Sequence, residues 1–463
     1  MRPEVTQTFL SVTYEAYKAR FGDSFGTDIP AVFTDEPYVA AGGVYHSDQN
    51  SLPYSYWFAH EFEKRNGYDL NDHLACLFVD ARGDMIQVDA PKVRYDYYCT
   101  IRELWEKNFV IPLSKWCEQN NIALTGHYLE HQWPYPWGNA SPAVMSLYEH
   151  MQWPAIDMLM TYLLKKDGTD PLLLTIREVQ SAANQFDKER VLCETYGAGG
   201  WDSTFEDYKR IGDWLYVHGI NFMNQHLTFS TIMGARKRDH PQSFDWRQPW
   251  WAEYKDMADY YGRLSYVLSQ GKTRNRILLL HPTTSAFLQT PYSESADLFR
   301  GEFASEEKTE LEKYVELIQW LSDQQWDFDL GDEFIMERHG AIEHGKYRVA
   351  NRSYDLVIVP GAMEHMKQST VKLLQDFMAS GGKVIALGKP GTWVEGQPSD
   401  AIETLPQHPG WMKAANQEQL HTLLTQQLTR FVTPEADVLP KGVASLRREL
   451  PDGSAFYFFT NSN

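Results

Sequence analysis

The chain has 463 residues, 43% hydrophobic and 23% charged, a globular composition long enough for two or three domains. Its formal net charge of −19 argues against nucleic acid or an anionic membrane surface as partner, since both need clustered Lys and Arg. The four scattered cysteines, Cys76, Cys99, Cys117 and Cys193, form no CxxC, and no apolar run approaches the roughly 20 residues of a membrane span.

The polar start MRPEVTQTF has no signal-peptide core and predicts a cytoplasmic protein if that N-terminus is genuine. Val5, Phe9, Leu10, Val12, Tyr14 and Tyr17 recur at roughly helical spacing, which predicts an amphipathic helix over 3–21. It feeds the apolar run 29–32, which ends in Phe33-Thr34-Asp35-Glu36-Pro37, a buried strand delivering two carboxylates to a rim. Helices over 54–66 and 89–119 lead to a strand over 122–128, whose end offers His127, Glu130 and His131. A helix over 142–150 precedes a strand-like run over 156–162, with Asp157 at its start. A helix over 172–186 then leads to the strand 191–194, which ends in Glu194 ahead of a glycine-rich loop. A helix over 205–218 and a strand over 219–225, just before His226, complete the series.

Strands that alternate with helices mean βα units and a parallel sheet, and the polar residues gather at the strand C-terminal ends. The expected fold is therefore a (β/α)8 TIM-type barrel whose visible strands are the last five, the first strands being absent from this chain. A self-sufficient five-stranded α/β sheet is the alternative. After a linker near 269–274, the strands 275–281, 326–330, 354–360 and 383–388 predict a flavodoxin- or amidotransferase-like sheet without GxGxxG or P-loop. The alternation SAFYFFTNSN suggests the start of a β-sandwich. The predicted division is a barrel over 1–272, an accessory domain over 273–430 and a C-terminal β domain over 431–463.

Two carboxylates at the ends of parallel strands are the equipment for acid/base cleavage of a glycosidic bond. Glu36 is the leading catalytic candidate, although Asp35 and Glu36 would also serve as caps for a following helix. Glu194, in LCETYGAGGW, is comparable, and a structural ion pair is its bland reading. Glu130 lies in GHYLEHQWPYPWGN among His127, His131 and Trp133, an aromatic and imidazole-rich loop suited to a sugar subsite or to hydrophobic anchoring. Asp35, Trp201, His226 and Arg236 are further substrate-binding candidates. The segment GARKRDHPQSFDWRQPWW reads as a substrate-facing lid or domain clamp.

Together, PEVTQTFLSVTYEAYKARFG before IPAVFTDEP, the segment VLCETYGAGGW and GARKRDHPQSFDWRQPWW resemble the glycoside hydrolase family 106 α-L-rhamnosidases and their glycosidase-like relatives. The similarity covers most of residues 1–270 and the following sheet. It implies a (β/α)8 barrel with accessory domains, cleavage of a terminal L-rhamnose with inversion, and a calcium ion that binds sugar hydroxyls. Glu36 would be the strand-four acid and Glu194 the strand-seven glutamate, with Glu130 and Asp157 as further site or metal-ligand candidates. On this expectation Glu36 protonates the leaving oxygen while Glu194 or Glu130 activates water, and the partner is a glycoside or oligosaccharide. A retaining β-galactosidase-like enzyme and an inactive carbohydrate-binding relative are the alternatives; the carboxylate separation distinguishes retention from inversion.

Overall fold

The structure is a computed structural model that describes residues 2–39, 52–79, 88–128, 142–159, 173–288, 310–389, 391–433 and 442–461. Five strands form the first sheet: β1 Ala31–Asp35, β2 Ala123–His127, β3 Trp153–Met158, β4 Leu192–Thr195 and β5 Phe222–Gln225. They lie in chain order and every pairing is parallel, so each crossover is a βα unit, as the sequence predicts.

The strand carrying Asp157 differs from expectation. It opens at Trp153, so Asp157 stands near its C-terminal end and not at its start. The Trp153-Pro154 pair hid this, because proline reads as a strand breaker, yet at a strand's first residues its missing N–H is tolerated. The predicted helix over 3–21 forms as Pro3–Phe9, a wider π turn Leu10–Tyr14, and Glu15–Phe21. The helix over 89–119 likewise divides at Glu106–Val110, ahead of Pro112, which has no N–H to give to the carbonyl four residues back.

A second sheet has Trp411–Ala414, Lys383–Leu387, Leu356–Val359, Ile277–Leu280 and Phe328–Gly331 side by side, all parallel. Numbered along the chain, that order is 2-1-3-4-5, one of the two common arrangements of doubly wound sheets. The sequence reading had missed the strand Trp411–Ala414. Helix Leu173–Gln185 packs against this sheet, and nearly all of it is buried. Asn184 donates to Asp329 at 2.9 Å, Gln185 to the Leu330 carbonyl at 2.9 Å, and His281 Nε2 lies 2.9 Å from Glu178. These bonds pair several of the polar groups that this burial strips of water. Val443–Glu449 and Ala455–Asn461 form an antiparallel hairpin. No helix among the described residues is long and apolar enough to cross a membrane.

Register places Phe33, Thr125, Trp153 and Phe222 on the same face of the first sheet as Asp35, His127, Asp157 and Glu194. The aromatic part of that face is uncovered: Phe33 and Phe222 are each 37% exposed, and Trp153 packs edge-on against Phe222.

Candidate active site

Strand register assembles the site. Asp35 lies opposite His127 across β1 and β2, Asp157 opposite Glu194 across β3 and β4, and Glu194 opposite Asn224 across β4 and β5. Side chains at matched positions of a parallel pair project to one side, so these groups converge at the strands' C-terminal ends.

Local backbone features hold the convergence. Gly126, at φ +114°, lies so close to β1 that a Cβ there would stand 2.0 Å from the Thr34 carbonyl oxygen. Only glycine permits that approach. Directly past β1 the chain turns through Glu36 at φ +48°, held by its N–H donating to the His127 carbonyl at 3.1 Å. A glutamate in the left-handed region costs of order 1–3 kcal/mol, a strain that clusters at functional sites. Past β4, Tyr196 at φ +68° donates its hydroxyl to the Tyr208 carbonyl at 2.9 Å and anchors the glycine loop.

The His127 imidazole is fully buried at the centre. Its Nε2 lies 3.4 Å from Asp35, 3.9 Å from Glu36 and 3.8 Å from Asp157. One ligand atom from each of His127, Asp157 and Glu194 falls within 4.8 Å of the others. Burial pushes the Glu194 carboxyl up to about 7, reinforced by the charge of Asp157. Burial likewise lifts Asp157 to about 6 against the pull of His127. Glu36 is raised by burial, whereas the hydrogen bond from His127 lowers Asp35. Burial alone would lower His127, but Asp35, Asp157, Glu194 and Glu36 together raise it. The result is a carboxyl, Glu194, that keeps a proton near neutrality in the same cluster as Asp35, which ionises readily, and acid/base catalysis requires such a division.

Among the other expected residues, His226 stands 3.8 Å from Glu194, its ring 5.8 Å from that of His240. Trp201 is 40% exposed and its indole N–H donates to the Lys237 carbonyl. Arg236 is exposed on the adjoining turn Gly234–Arg238 and touches none of the central carboxylates. Glu130, His131 and Trp133 lie outside the described residues. His240, which the sequence places only within the basic loop read as a lid or clamp, is a further neighbour of His226.

Calcium takes six to eight oxygen ligands. Among the described residues, the two donor groups at these strand ends, Asp35 with Glu36 and His127, and His127 with Asp157 and Glu194, both run through an imidazole. With that nitrogen at the centre, and held toward its cationic form, the set does not fit calcium as arranged.

The family model described as alpha-L-rhamnosidase, glycoside hydrolase family 106, matches residues 4–301. A curated protein of Formosa agariphila that carries a provisional beta-glucuronidase name is 24% identical over 339 residues, 71% of this chain and 25% of that protein. A rhamnosidase from Novosphingobium sp. PP1Y superimposes with a TM-score of 0.68 at 15% identity, covering 99% of this chain and 42% of that one. A cold-adapted beta-galactosidase from Rahnella sp. R3 gives 0.61 at 12% identity, covering 92% and 72%. The chain thus spans about a quarter of the curated relative and under half of the rhamnosidase, and the two structural likenesses concern the fold.

Proposed function

The chain belongs to glycoside hydrolase family 106, the α-L-rhamnosidase family, and from that premise we propose that it carries the catalytic carboxylates of an enzyme that cleaves a terminal α-L-rhamnose with inversion. The observation that supports this most is the Asp157–Glu194 pair beside His127 at the C-terminal ends of parallel strands.

The burial pattern favours a division of roles opposite to the one expected from sequence. Glu194, raised to about 7, keeps the proton that the leaving oxygen needs. Glu36, at the rim beyond His127, accepts a proton from the attacking water. Asp157 holds Glu194 protonated through its charge, and His127 keeps Asp35 ionised through its hydrogen bond. As positive charge develops on the sugar ring, these carboxylates stabilise it. His226 and Trp201 border the site and would contact sugar hydroxyls and a ring face.

On the same reading the five parallel strands are strands four to eight of a (β/α)8 barrel, the second sheet is an amidotransferase-like accessory domain, and the hairpin belongs to a β-sandwich. The uncovered face at Phe33, Trp153 and Phe222 supports the first of these, because a closed barrel would fill it with side chains. Calcium remains a proposal from the family; the His127 imidazole would have to give way for the carboxylates to gather an ion. Inhibition by EDTA reversed by calcium would support it, and EDTA-insensitive turnover would remove it.

The test is hydrolysis of aryl glycosides across a sugar panel, with NMR of the first-formed anomer. Release of L-rhamnose with inverted configuration is expected. Retention would point to the β-galactosidase-like double displacement, and no turnover of any glycoside would leave a carbohydrate-binding relative.

A further inference from the structure

Two imidazoles stand beside the carboxylate cluster, one at a strand end and one brought in by a loop. His226 follows β5 directly, its N–H donating to the Thr195 carbonyl at 2.8 Å and its Nε2 lying 3.8 Å from Glu194. His240 comes from the loop, its ring 5.8 Å from the His226 ring with a tilt of 40° between the two. The loop is anchored on both sides of it. Before it, the Lys237 carbonyl accepts from the Trp201 indole at 2.6 Å. After it, the Pro241 carbonyl accepts from Gly200 N–H at 3.0 Å, and Gln242 Nε2 donates to the Tyr196 carbonyl at 3.2 Å. Tyr196, Gly200 and Trp201 all belong to the segment past β4, the strand that carries Glu194.

Between these anchors His240 sits at φ +46°, a left-handed backbone that a residue with a Cβ adopts only where its surroundings impose it. Protein contacts do not account for that strain. The side chain is 52% exposed, and it pairs with the adjacent, exposed Asp239 at 3.3 Å, a kind of ion pair that contributes little. The ring nevertheless lies within the field of the site. Burial raises Glu36 and Asp157, and His240 is among the charges that oppose the rise; burial lowers His226, and His240 lowers it further. A neutral imidazole has one donor and one acceptor nitrogen, which suits a sugar hydroxyl, itself both donor and acceptor. Resting on the glycosidase reading above, we propose that His240, together with His226, holds neighbouring hydroxyls of the terminal sugar, so that the loop helps to set which sugar is accepted. A sugar that lacks the matching hydroxyl leaves an imidazole without its partner, and polar sites reject that kind of mismatch strongly.

The test is a cycle of paired deletions, one in the substrate and one in the full chain. The substrates are an aryl α-L-rhamnoside and the three derivatives that lack one hydroxyl, at carbon two, three or four. In the wild type, loss of one of these hydroxyls should lower kcat/KM by about tenfold or more. In His240→Ala the same loss should cost less than about twofold, while the penalties at the other positions persist. His240→Asn tolerates the left-handed backbone and keeps a donor and an acceptor, so it should retain part of the discrimination. Both variants should melt within a few degrees of wild type. Penalties that stay unchanged in His240→Ala at every position, or an equal loss on all four substrates, would overturn the proposal. The same cycle is then read as calorimetric binding of L-rhamnose and its deoxy forms to chains carrying Glu36→Gln. A selective loss in binding, without turnover of any glycoside by the wild-type chain, counts against the hydrolase reading alone. Absence of a selective loss in both measurements removes His240 from sugar recognition.

Discussion

Asp157 and Glu194 face each other across the β3–β4 pairing, one ligand oxygen of each within 4.8 Å of the other and of His127. Two buried carboxylates at that range cannot both ionise cheaply, so they titrate as a pair that retains a proton well above the ordinary carboxylate range. The fold creates this condition through register alone, because matched positions on adjacent parallel strands must project together.

The first consequence is a pH profile. With Glu194 as proton donor at about 7, kcat/KM should fall as pH rises through neutrality. Asp157→Asn removes the neighbouring charge that helps to raise Glu194, so the basic limb should move down by about one pH unit. Rate profiles of the two proteins on one aryl rhamnoside check this; an unmoved limb removes Asp157 from control of the donor.

Stability should carry the opposite mark. Glu194 goes from 4.5 to about 7 and Asp157 from 3.8 to about 6, so both ionise at lower pH in the unfolded chain than in the fold. Between those values the unfolded state binds fewer protons, and stability declines as pH rises. Glu194→Gln removes its part of the decline, up to about 3 kcal/mol. The variant should unfold at higher denaturant than wild type at pH 8 and show little difference at pH 4.5. Wild-type stability that is flat from pH 5 to 8 contradicts the burial argument.

These groups differ in how far the sequence disclosed them. Asp35, Glu36 and Glu194 were legible because each ends a short apolar run, and a strand of four or five residues leaves little doubt about which residue reaches its end. Asp157 was visible but misplaced, since Trp153-Pro154 disguised the true start of β3. The centrality of His127 was not legible. It depends on Gly126 letting β1 and β2 approach, a tertiary fact that one glycine in IALTGHY does not announce. His240 reaches the site through loop packing and carries no periodic signal. The exchange of roles proposed for Glu36 and Glu194 rests on burial, a property of the assembled sheet that the sequence does not display.

The roles separate by leaving group. Glu36→Gln should lower kcat by roughly 10²–10⁴ on every glycoside, because water activation is needed whatever departs. Glu194→Gln should cost as much on an alkyl rhamnoside but far less on a dinitrophenyl rhamnoside, whose phenolate leaves without a proton. Plots of log kcat against leaving-group pKa for the two variants decide it. A steep slope for Glu36→Gln and a shallow one for Glu194→Gln would restore the assignment expected from sequence.

The scaffold makes a demand of its own at Gly126. A methyl group there would lie 2.0 Å from the Thr34 carbonyl oxygen and 2.6 Å from its nitrogen, both backbone atoms that cannot swing aside. The residue also sits at φ +114°, which L side chains rarely adopt. Gly126→Ala must therefore push β1 from β2, the pairing that sets Asp35 against His127 and lets Glu36 bond to the His127 carbonyl. We expect a loss of about 3 kcal/mol or more together with turnover. Gly67, at φ +80° past helix Tyr56–Asn66, where an added Cβ would meet nothing within 4 Å, provides the comparison. Gly67→Ala pays only the backbone penalty, about 1 kcal/mol, and should keep its activity. Equal denaturation midpoints for the two variants would mean that the close approach at Gly126 does not organise the site.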